Sequence, residues 1–134
     1  MGRLFSAAGI FAAVFCVGSA VAQTPAASEW KLEMRTLAAT SGIGLSNGAL
    51  IDRPEIRIIR VDLQPGAVRL LHTHDDVRYH LMIPITGSAQ ANFSPSDSVP
   101  LQQWQPVFFQ GGSTHGFQNN STSTLSVMEI FVRK

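Results

Sequence analysis

The chain has 134 residues, a formal net charge of +1 at pH 7 and 45% hydrophobic residues. This length allows one domain with a moderate core and leaves no room for a second. The near balance of charge, with no basic stripe, excludes a nucleic-acid-binding surface and an electrostatic attachment to anionic membranes.

The first 22 residues have the form of a secretory signal peptide. Arg3 gives a basic start, Leu4 to Ala20 is apolar, and Ala20-Val21-Ala22 has the small-x-small form that signal peptidase cleaves. The alternative is a membrane anchor, but this run is at the short limit of the ~17–25 residues that span a bilayer. Cleavage removes Cys16, the single cysteine, which suits a periplasmic or secreted protein that is free of the membrane.

Residues 23–40 form a leader with one short element. Within it, residues 30–39 leave a short strand and a frayed helical turn equally open. Residues 41–48 contain three glycines, which predict a loop at the start of a single β-domain over residues 41–134.

From residue 55 onward the pattern is one of short strands and turns. The alternation of Ile59, Val61 and Leu63 with polar residues predicts a strand, and Gln64-Pro65-Gly66 predicts a turn. Loops are predicted over 94–100 and 119–124, and further strands over 68–73, 79–85, 89–93, 107–110, 115–118 and 125–132. No helix is predicted after residue 40, so the fold class is all-β, a sandwich or barrel.

All four histidines of the chain fall within residues 72–115. His72 and His74 project from one face of a strand because side chains alternate. His80 follows on the next strand, and a hairpin between the two strands would bring it to about 4.8 Å, the spacing of neighbours in a sheet. His115 comes from a distant pair of strands. Imidazole is the commonest protein ligand for transition metals, so the grouping predicts one metal site with three or four nitrogen ligands.

The first three histidines resemble the first conserved motif of the cupin superfamily, G-(X)5-H-X-H-(X)3,4-E-(X)6-G. Gly66, His72 and His74 match this pattern, and counting back six residues from Gly87 gives His80 at the position of the glutamate.

The match has two departures. The gap between His74 and His80 is five residues instead of three or four, and an imidazole replaces a carboxylate. If the four-residue spacing is counted, Tyr79 occupies the glutamate position instead.

The fourth histidine resembles the second cupin motif, G-(X)5-P-X-G-(X)2-H-(X)3-N. Gly112, His115 and Asn119 match, whereas Gln110 stands in place of the proline and Trp104 in place of the leading glycine. The two motifs occur in the family's order.

This resemblance, which covers roughly residues 55–132, implies a single-domain jelly-roll barrel with a metal in its lumen, and a homodimer. The implied ligands are His72, His74, His80 and His115. An all-imidazole shell favours Fe, Ni, Cu or Zn over Mg or Ca, and Mn also stays open. The implied function is that of an exported oxygenase or Lewis-acid enzyme acting on a small molecule. The alternative is a non-enzymatic module that holds or senses a small molecule or metal. The sequence identifies no catalytic residue.

Several other side chains carry expectations. A set of large apolar residues should line the barrel: Met82, Phe93, Phe108, Phe117 and Phe131. Glu129 is expected on the outer, solvated side of the last strand; an inward position would make it a candidate general acid or base.

The charged residues of the middle strands are expected in solvent. Asp75 and Asp76 should lie in a solvated turn. Arg57, Arg60 and Arg69 should also face solvent, and any one of them that faced the lumen could select an anionic substrate.

Overall fold

The structure is a computed structural model that describes residues 32–134. The predicted signal segment and residues 23–31 of the leader lie outside this range. The described chain contains a three-residue 3-10 turn, Ala39–Ser41, and nine strands. The strands are β1 (Arg35–Thr36), β2 (Gly42–Asp52), β3 (Ile56–His72), β4 (Val77–Thr86), β5 (Ala89–Ser94), β6 (Asp97–Leu101), β7 (Val107–Gln110), β8 (His115–Gln118) and β9 (Leu125–Arg133). Over residues 32–134, no helix has the length and apolar character needed to cross a membrane.

The strands form one antiparallel sheet in the order β6-β5-β8-β3-β9-β4-β7, and β2 adds to β3 with β1 beyond it. Strand β3 carries the chain from one part of the sheet to the other. Its first part, from Ile56 to Leu63, pairs with β9, and its second part, from Val68 to His72, pairs with β8. The sheet therefore curls into a jelly-roll barrel, as predicted.

The core lies inside this curl. Alternate residues of β3 and β9, such as Val61, Leu63 and Val127, are almost fully buried and face one another in register. Burying a side chain of this kind contributes about 1.5–3 kcal/mol. One end of the core is apolar, and the other end contains the histidines.

The predicted strands over 68–73, 79–85, 89–93, 107–110, 115–118 and 125–132 are confirmed. The described part of residues 30–39 contains the short strand, β1, which pairs with β2, and the 3-10 turn begins only at the last residue of this segment.

The predicted loop over residues 41–48 is wrong, because this segment begins strand β2. Its glycines serve pairing and packing. Gly44 has a φ of 73° where the register with β3 shifts. A Cβ on Gly48 would lie only 2.6 Å from the side chain of Leu32, so glycine allows the N-terminal segment to pack closely.

Two further predictions are corrected. Gln64-Pro65-Gly66 does not reverse the chain, since β3 continues through it and changes its pairing partner there. The predicted loop over 94–100 contains β6, an edge strand paired with β5. Pro100 is compatible with this position because an edge strand has unpaired donor positions.

Candidate metal centre

The four histidine rings meet at one end of the barrel. His72 and His115 are directly opposed in the register of β3 and β8, with ring centroids 4.6 Å apart. The His74 ring lies 4.8 Å from that of His72, and the His80 ring lies 4.7 Å from that of His115. The structure therefore brings together all four residues that the sequence singled out.

His80 reaches the cluster by a different route from the predicted hairpin, and that prediction is wrong. Strand β4 pairs with β9 and β7, and β9 lies between β4 and β3 in the sheet. The connection after His74 crosses to the far side of β9, so His80 faces His74 across the lumen, with centroids 5.2 Å apart.

Backbone carbonyl groups orient two of the rings. Nδ1 of His72 lies 2.8 Å from the carbonyl oxygen of Leu70, and Nδ1 of His115 lies 2.9 Å from that of Ser113. A carbonyl oxygen only accepts, so each Nδ1 carries the proton and donates it. Each Nε2 is left with a free lone pair, which is the arrangement found in metal-ligating histidines.

The free lone pairs are buried without a partner. The unpartnered, buried ring nitrogens in the described chain are Nε2 of His72, His74 and His115 and both nitrogens of His80. An unsatisfied buried polar atom costs about 1–3 kcal/mol, so several in one place indicate a missing bonding partner. Ring nitrogens of His72, His74 and His115 lie within 4.8 Å of one another, and His80 falls outside this tightest group. The donor set fits a divalent transition-metal ion.

Burial keeps the cluster uncharged. Desolvation, together with the neighbouring histidines and Arg69, lowers the pKa of His72 and of His74 to about 4. Burial also lowers the pKa of His80 to about 2 and lowers that of His115. The rings are therefore neutral at pH 7, the state that metal coordination requires.

Two phenyl rings pack against the cluster. Phe131 stacks on His80 at 4.4 Å and contacts the edge of His74 at 4.8 Å. Phe109 stacks on His115 at 4.4 Å. These rings keep water away from the nitrogens and restrict the imidazole rotamers.

A backbone hydrogen bond joins the turn of the second motif to the segment that carries the first motif. The backbone N–H of Gly112 donates to the carbonyl oxygen of His74 at 3.0 Å, which ties the segment after β3 to the turn before His115. A Cβ on Gly116 would lie 2.6 Å from the carbonyl oxygen of Arg69, so glycine allows β8 to approach β3 closely at the site.

No family model matches this sequence, and no curated protein resembles it at a significant level. Solved structures do resemble it. A predicted oxalate decarboxylase from Thermotoga maritima is 19% identical with a TM-score of 0.68, covering 84% of this chain and 100% of that one. The polyketide cyclase RemF from Streptomyces resistomycificus is 14% identical with a TM-score of 0.67, covering 77% of this chain and 75% of that one. A cupin domain from Bordetella pertussis Tohama I is 21% identical with a TM-score of 0.57, covering 68% of this chain and 95% of that one. The described domain has the cupin fold.

The lumen of this cupin barrel also contains a carboxyl group. Glu129 is 2% exposed and its Oε1 has no hydrogen-bond partner, so the expected outward position is wrong. It lies opposite Ile59 on β3 and Met82 on β4, one layer deeper than Phe131. Burial raises the pKa of Glu129 to about 7, although Arg69 and Arg57 both favour its charged form.

The three arginines differ in their surroundings. Arg60 faces away from the lumen, where it donates to Asp62 at 2.8 Å and to Ser126 at 3.0 Å. Arg69 and Arg57 are partly buried and interact electrostatically with Glu129, so the expectation of solvent-facing side chains is only partly met, and the Arg57 side chain is still 42% exposed.

The other expected residues divide into two groups. Met82, Phe117 and Phe131 are buried as predicted, and Phe93 packs against the core while partly exposed. Phe108 does not line the interior; its side chain is 57% exposed, because alternation in β7 turns it away from the buried Phe109.

The alternative ligands from the first motif lie outside the cluster. Tyr79 is exposed on the outer face of β4, where its ring lies 5.4 Å from that of Phe108. Asp75 and Asp76 are exposed turn residues, as expected. Asp76 lines the same small cleft as His74.

Arg57 lines two separate cavities. A cleft of about 40 Å³ lies beside His74 and is lined also by Phe131 and Arg133. A larger cavity of about 370 Å³ lies against β1 and β2, with Arg35, Asn47 and Ala49 in its wall. Arg57 contributes to the walls of both.

Proposed function

We propose that this protein is a metal-dependent cupin in which the histidine cluster holds one divalent transition-metal ion. The observation that carries the proposal is the convergence of buried, unpartnered ring nitrogens from separate strands. His72, His74 and His115 supply the primary ligands, and His80 completes the shell from across the lumen. All four rings are neutral at pH 7 without any change of protonation.

The proposed activity is Lewis-acid or oxygenase chemistry on a small molecule. A bound metal of this kind polarises a carbonyl or enolate oxygen, and a redox-active ion also supports reaction with O₂. The chain's own residues orient the ligand nitrogens through the carbonyl groups of Leu70 and Ser113 and exclude water with Phe109 and Phe131. Two proteins of the same fold are described as a polyketide cyclase and a predicted oxalate decarboxylase, both of which act on small molecules.

A non-enzymatic module that holds a metal or senses a small molecule is the second candidate. The free space beside His74 is only about 40 Å³, and His80 and His115 are each 1% exposed. A site so enclosed suits an ion that is held with few exchangeable positions.

Metal analysis tests the bound transition-metal ion, which both candidate functions share. The protein is purified without chelator or histidine tag, and its bound metals are measured by mass spectrometry. We expect about one equivalent of Fe, Zn, Ni, Cu or Mn, lost in the His72→Ala/His74→Ala double variant. Protein that remains metal-free after each ion is offered contradicts the proposal.

Turnover and water exchange separate the two candidates. We expect the iron-, nickel- or copper-loaded protein to consume O₂ with at least one member of a panel of diketones, hydroxy acids and phenols. The His74→Ala variant should abolish this consumption. A loaded protein that shows no turnover, and no exchangeable water by relaxation measurements, supports the binding module instead.

We further propose that the protein is exported and forms a homodimer. The apolar N-terminal run before Ala20-Val21-Ala22 supports export, and the exposed neighbours Tyr79 and Phe108 supply an apolar patch for self-association. Cell fractionation with N-terminal sequencing should find mature protein beginning at Gln23 outside the cytoplasm. Sedimentation should find a dimer that the Phe108→Lys variant weakens.

A further inference from the structure

His80 differs from two of the other histidines in having no acceptor for a ring N–H. Nδ1 of His72 and Nδ1 of His115 each donate to a backbone carbonyl oxygen. Both nitrogens of His80, in contrast, are buried without a hydrogen-bond partner. The two nitrogens of an imidazole lie on different edges of the ring, so only one of them can face a given ion. The other nitrogen carries a proton and needs an acceptor of its own.

The immediate surroundings of His80 do not supply this acceptor. Phe131 and Phe109 stack with its ring at 4.4 Å and 5.4 Å, and a phenyl ring has no oxygen or nitrogen to accept the proton. Strand β4 pairs with β7 on one side of His80 and with β9 on the other, so the nearby carbonyl oxygens serve the hydrogen bonds of the sheet. The acceptor is therefore to be sought among the polar side chains inside the barrel.

Elimination leaves one such side chain. Apart from His80, the buried polar residues within 32–134 are His115, Asn119, Ser126 and Glu129. The Oδ1 of Asn119 already accepts two hydrogen bonds from Ser121, and the Ser126 hydroxyl forms its hydrogen bonds on the outer face of the sheet. His115 keeps only Nε2, which the proposed ion uses. Glu129 remains, and its Oε1 has no partner.

Glu129 is a neighbour of His80 on the inner face of the sheet. In the antiparallel register of β4 and β9, Phe131 lies opposite His80 and Glu129 lies opposite Met82. The side chains of His80, Met82 and Glu129 are 1%, 0% and 2% exposed, so all three face the lumen. Diagonal neighbours on one face of such a pair are about 7–8 Å apart, which is within reach of aromatic and long side chains.

Glu129 also has no cation bound to it. Arg69 and Arg57 influence it electrostatically, but neither forms an ion pair with it in the part of the chain that the structure describes. Arg69 instead donates to the carbonyl oxygen of Ser41 at 3.2 Å, and Arg57 lies 4.0 Å from Asp52. An imidazole N–H without an acceptor and a carboxyl oxygen without a donor therefore lie in adjacent layers of the lumen.

We propose that Glu129 is a positioning residue for His80. Its carboxylate accepts the proton of the His80 nitrogen that faces away from the metal ion, directly or through one water molecule. This hydrogen bond sets the tautomer and the orientation of the ring and raises the basicity of the nitrogen that binds the ion. The inference rests on the proposed function, to which it adds the residue that orients the ligand from across the lumen.

Zinc affinity of the Glu129→Met variant, measured by competition with a fluorescent chelator, tests this role. Methionine fills a similar volume without an acceptor, so we expect the affinity to fall roughly tenfold or more. The metal-free variant should be at least as stable as the parent at pH 7, because it lacks a buried, unpartnered carboxyl group. A purely structural role would lower stability and affinity together. The matched control is Met82→Leu, an apolar exchange directly opposite Glu129, which should leave the affinity unchanged.

A double-mutant cycle assigns the effect to His80. In the His80→Phe background, Glu129→Met should lower the zinc affinity no further, because the N–H that Glu129 accepts is gone. An equal loss in both backgrounds overturns the inference, and so does an unchanged affinity in Glu129→Met alone. Thermal unfolding confirms that each variant is folded. If Glu129→Met is not folded, Glu129→Gln decides the question: we expect a smaller loss of affinity, and an affinity equal to that of the parent overturns the inference.

Zinc binding by the parent protein separates this inference from the proposed function. Protein that never binds zinc or another transition metal removes the metal centre and the role of Glu129 with it. Zinc-loaded protein whose affinity does not respond to Glu129→Met keeps the metal centre and removes the role of Glu129 alone.

Discussion

The imidazole of His80 stacks on the phenyl ring of Phe131, with centroids 4.4 Å apart and an interplanar angle of 13°. On its other side lies Phe109, at 5.4 Å and 25°. A phenylalanine at position 80 would make these contacts without two buried, unpartnered nitrogens. The presence of an imidazole here therefore favours a chemical role over a packing role.

His80→Phe should lower the affinity for metal tenfold or more, because it removes the nitrogen that completes the shell. The metal-free variant should be at least as stable as the parent, since about 1–3 kcal/mol is recovered for each unsatisfied atom removed. Competition with a fluorescent chelator measures the affinity. Tyr79→Phe, on the outward-facing neighbour, should leave the affinity unchanged. If His80→Phe binds metal as tightly as the parent, the site has three histidine ligands.

Metal should stabilise the fold, because an ion that binds only the native state shifts the unfolding equilibrium. At a free metal concentration 100 times the dissociation constant, the gain is about 2.7 kcal/mol. For a domain of this size, that gain corresponds to a rise in Tm of roughly 10 °C or more. Differential scanning calorimetry with and without metal measures the shift. The His115→Ala variant should show almost none, and an equal shift in that variant would place the ion elsewhere.

The sequence predicted the histidine cluster because chelation requires particular residue types at particular spacings. The two motifs placed His72 and His115 in one site, and the structure shows them directly opposed on β3 and β8. The path by which the chain brings His80 to the cluster could not be predicted from the motifs. A short connection between strands suggests a hairpin, but the closing of the barrel inserts β9 between β3 and β4.

Two charged residues, Arg57 and Glu129, differ in whether the sequence pattern could predict the face of the strand on which they lie. The alternation of Ile59, Val61 and Leu63, extended back by one step, places Arg57 on the inner face, so its position was predictable. Glu129 was not predictable in this way, because both faces of β9 are largely apolar: Met128 and Ile130 alternate with buried Val127. Only tertiary packing decides which face of such a strand is inside.

Glu129→Gln should change the pH dependence of stability in the metal-free protein. The pKa of Glu129 is about 7 in the folded state against an ordinary value of 4.5. The folded state therefore binds more protons between these values, and its stability falls as pH rises from 4.5 to 7. The loss amounts to about 3 kcal/mol at 1.36 kcal/mol per pKa unit. The histidines act in the opposite direction, because their lowered pKa values make stability rise over pH 4 to 6.5.

The difference between variant and parent isolates the Glu129 contribution. We expect the advantage of Glu129→Gln in free energy of unfolding to grow from pH 4.5 to 7 and then to stay level. Urea denaturation at a series of pH values measures it. Glu55→Gln, on an exposed residue, serves as the control. A difference that is constant across this range would show that Glu129 is ionised throughout.

Asn119 should be among the most sensitive positions for stability, because its buried amide ties three segments together. Its Nδ2 lies within hydrogen-bond distance of three carbonyl oxygens, those of Leu63 at 3.0 Å, Gln64 at 3.2 Å and Ser123 at 2.8 Å. Its Oδ1 accepts from the backbone N–H and the hydroxyl of Ser121. Asn119→Ala leaves these groups unsatisfied, at a cost of about 2–3 kcal/mol.

Asn119→Asp should destabilise the fold more than Asn119→Ala does, with a total cost of about 3–5 kcal/mol. The reason is that it turns a carboxyl oxygen toward carbonyl oxygens in a buried position. The backbone N–H of Gly66 donates to the carbonyl oxygen of Asn119 at 3.0 Å, so the same change loosens the start of the segment that leads to His72. Metal affinity should therefore fall together with stability. The urea midpoint measures stability, and the exposed neighbour substitution Asn120→Asp should change it by no more than about 0.5 kcal/mol. If Asn119→Asp were no worse than Asn119→Ala, the donor role of this amide would be refuted.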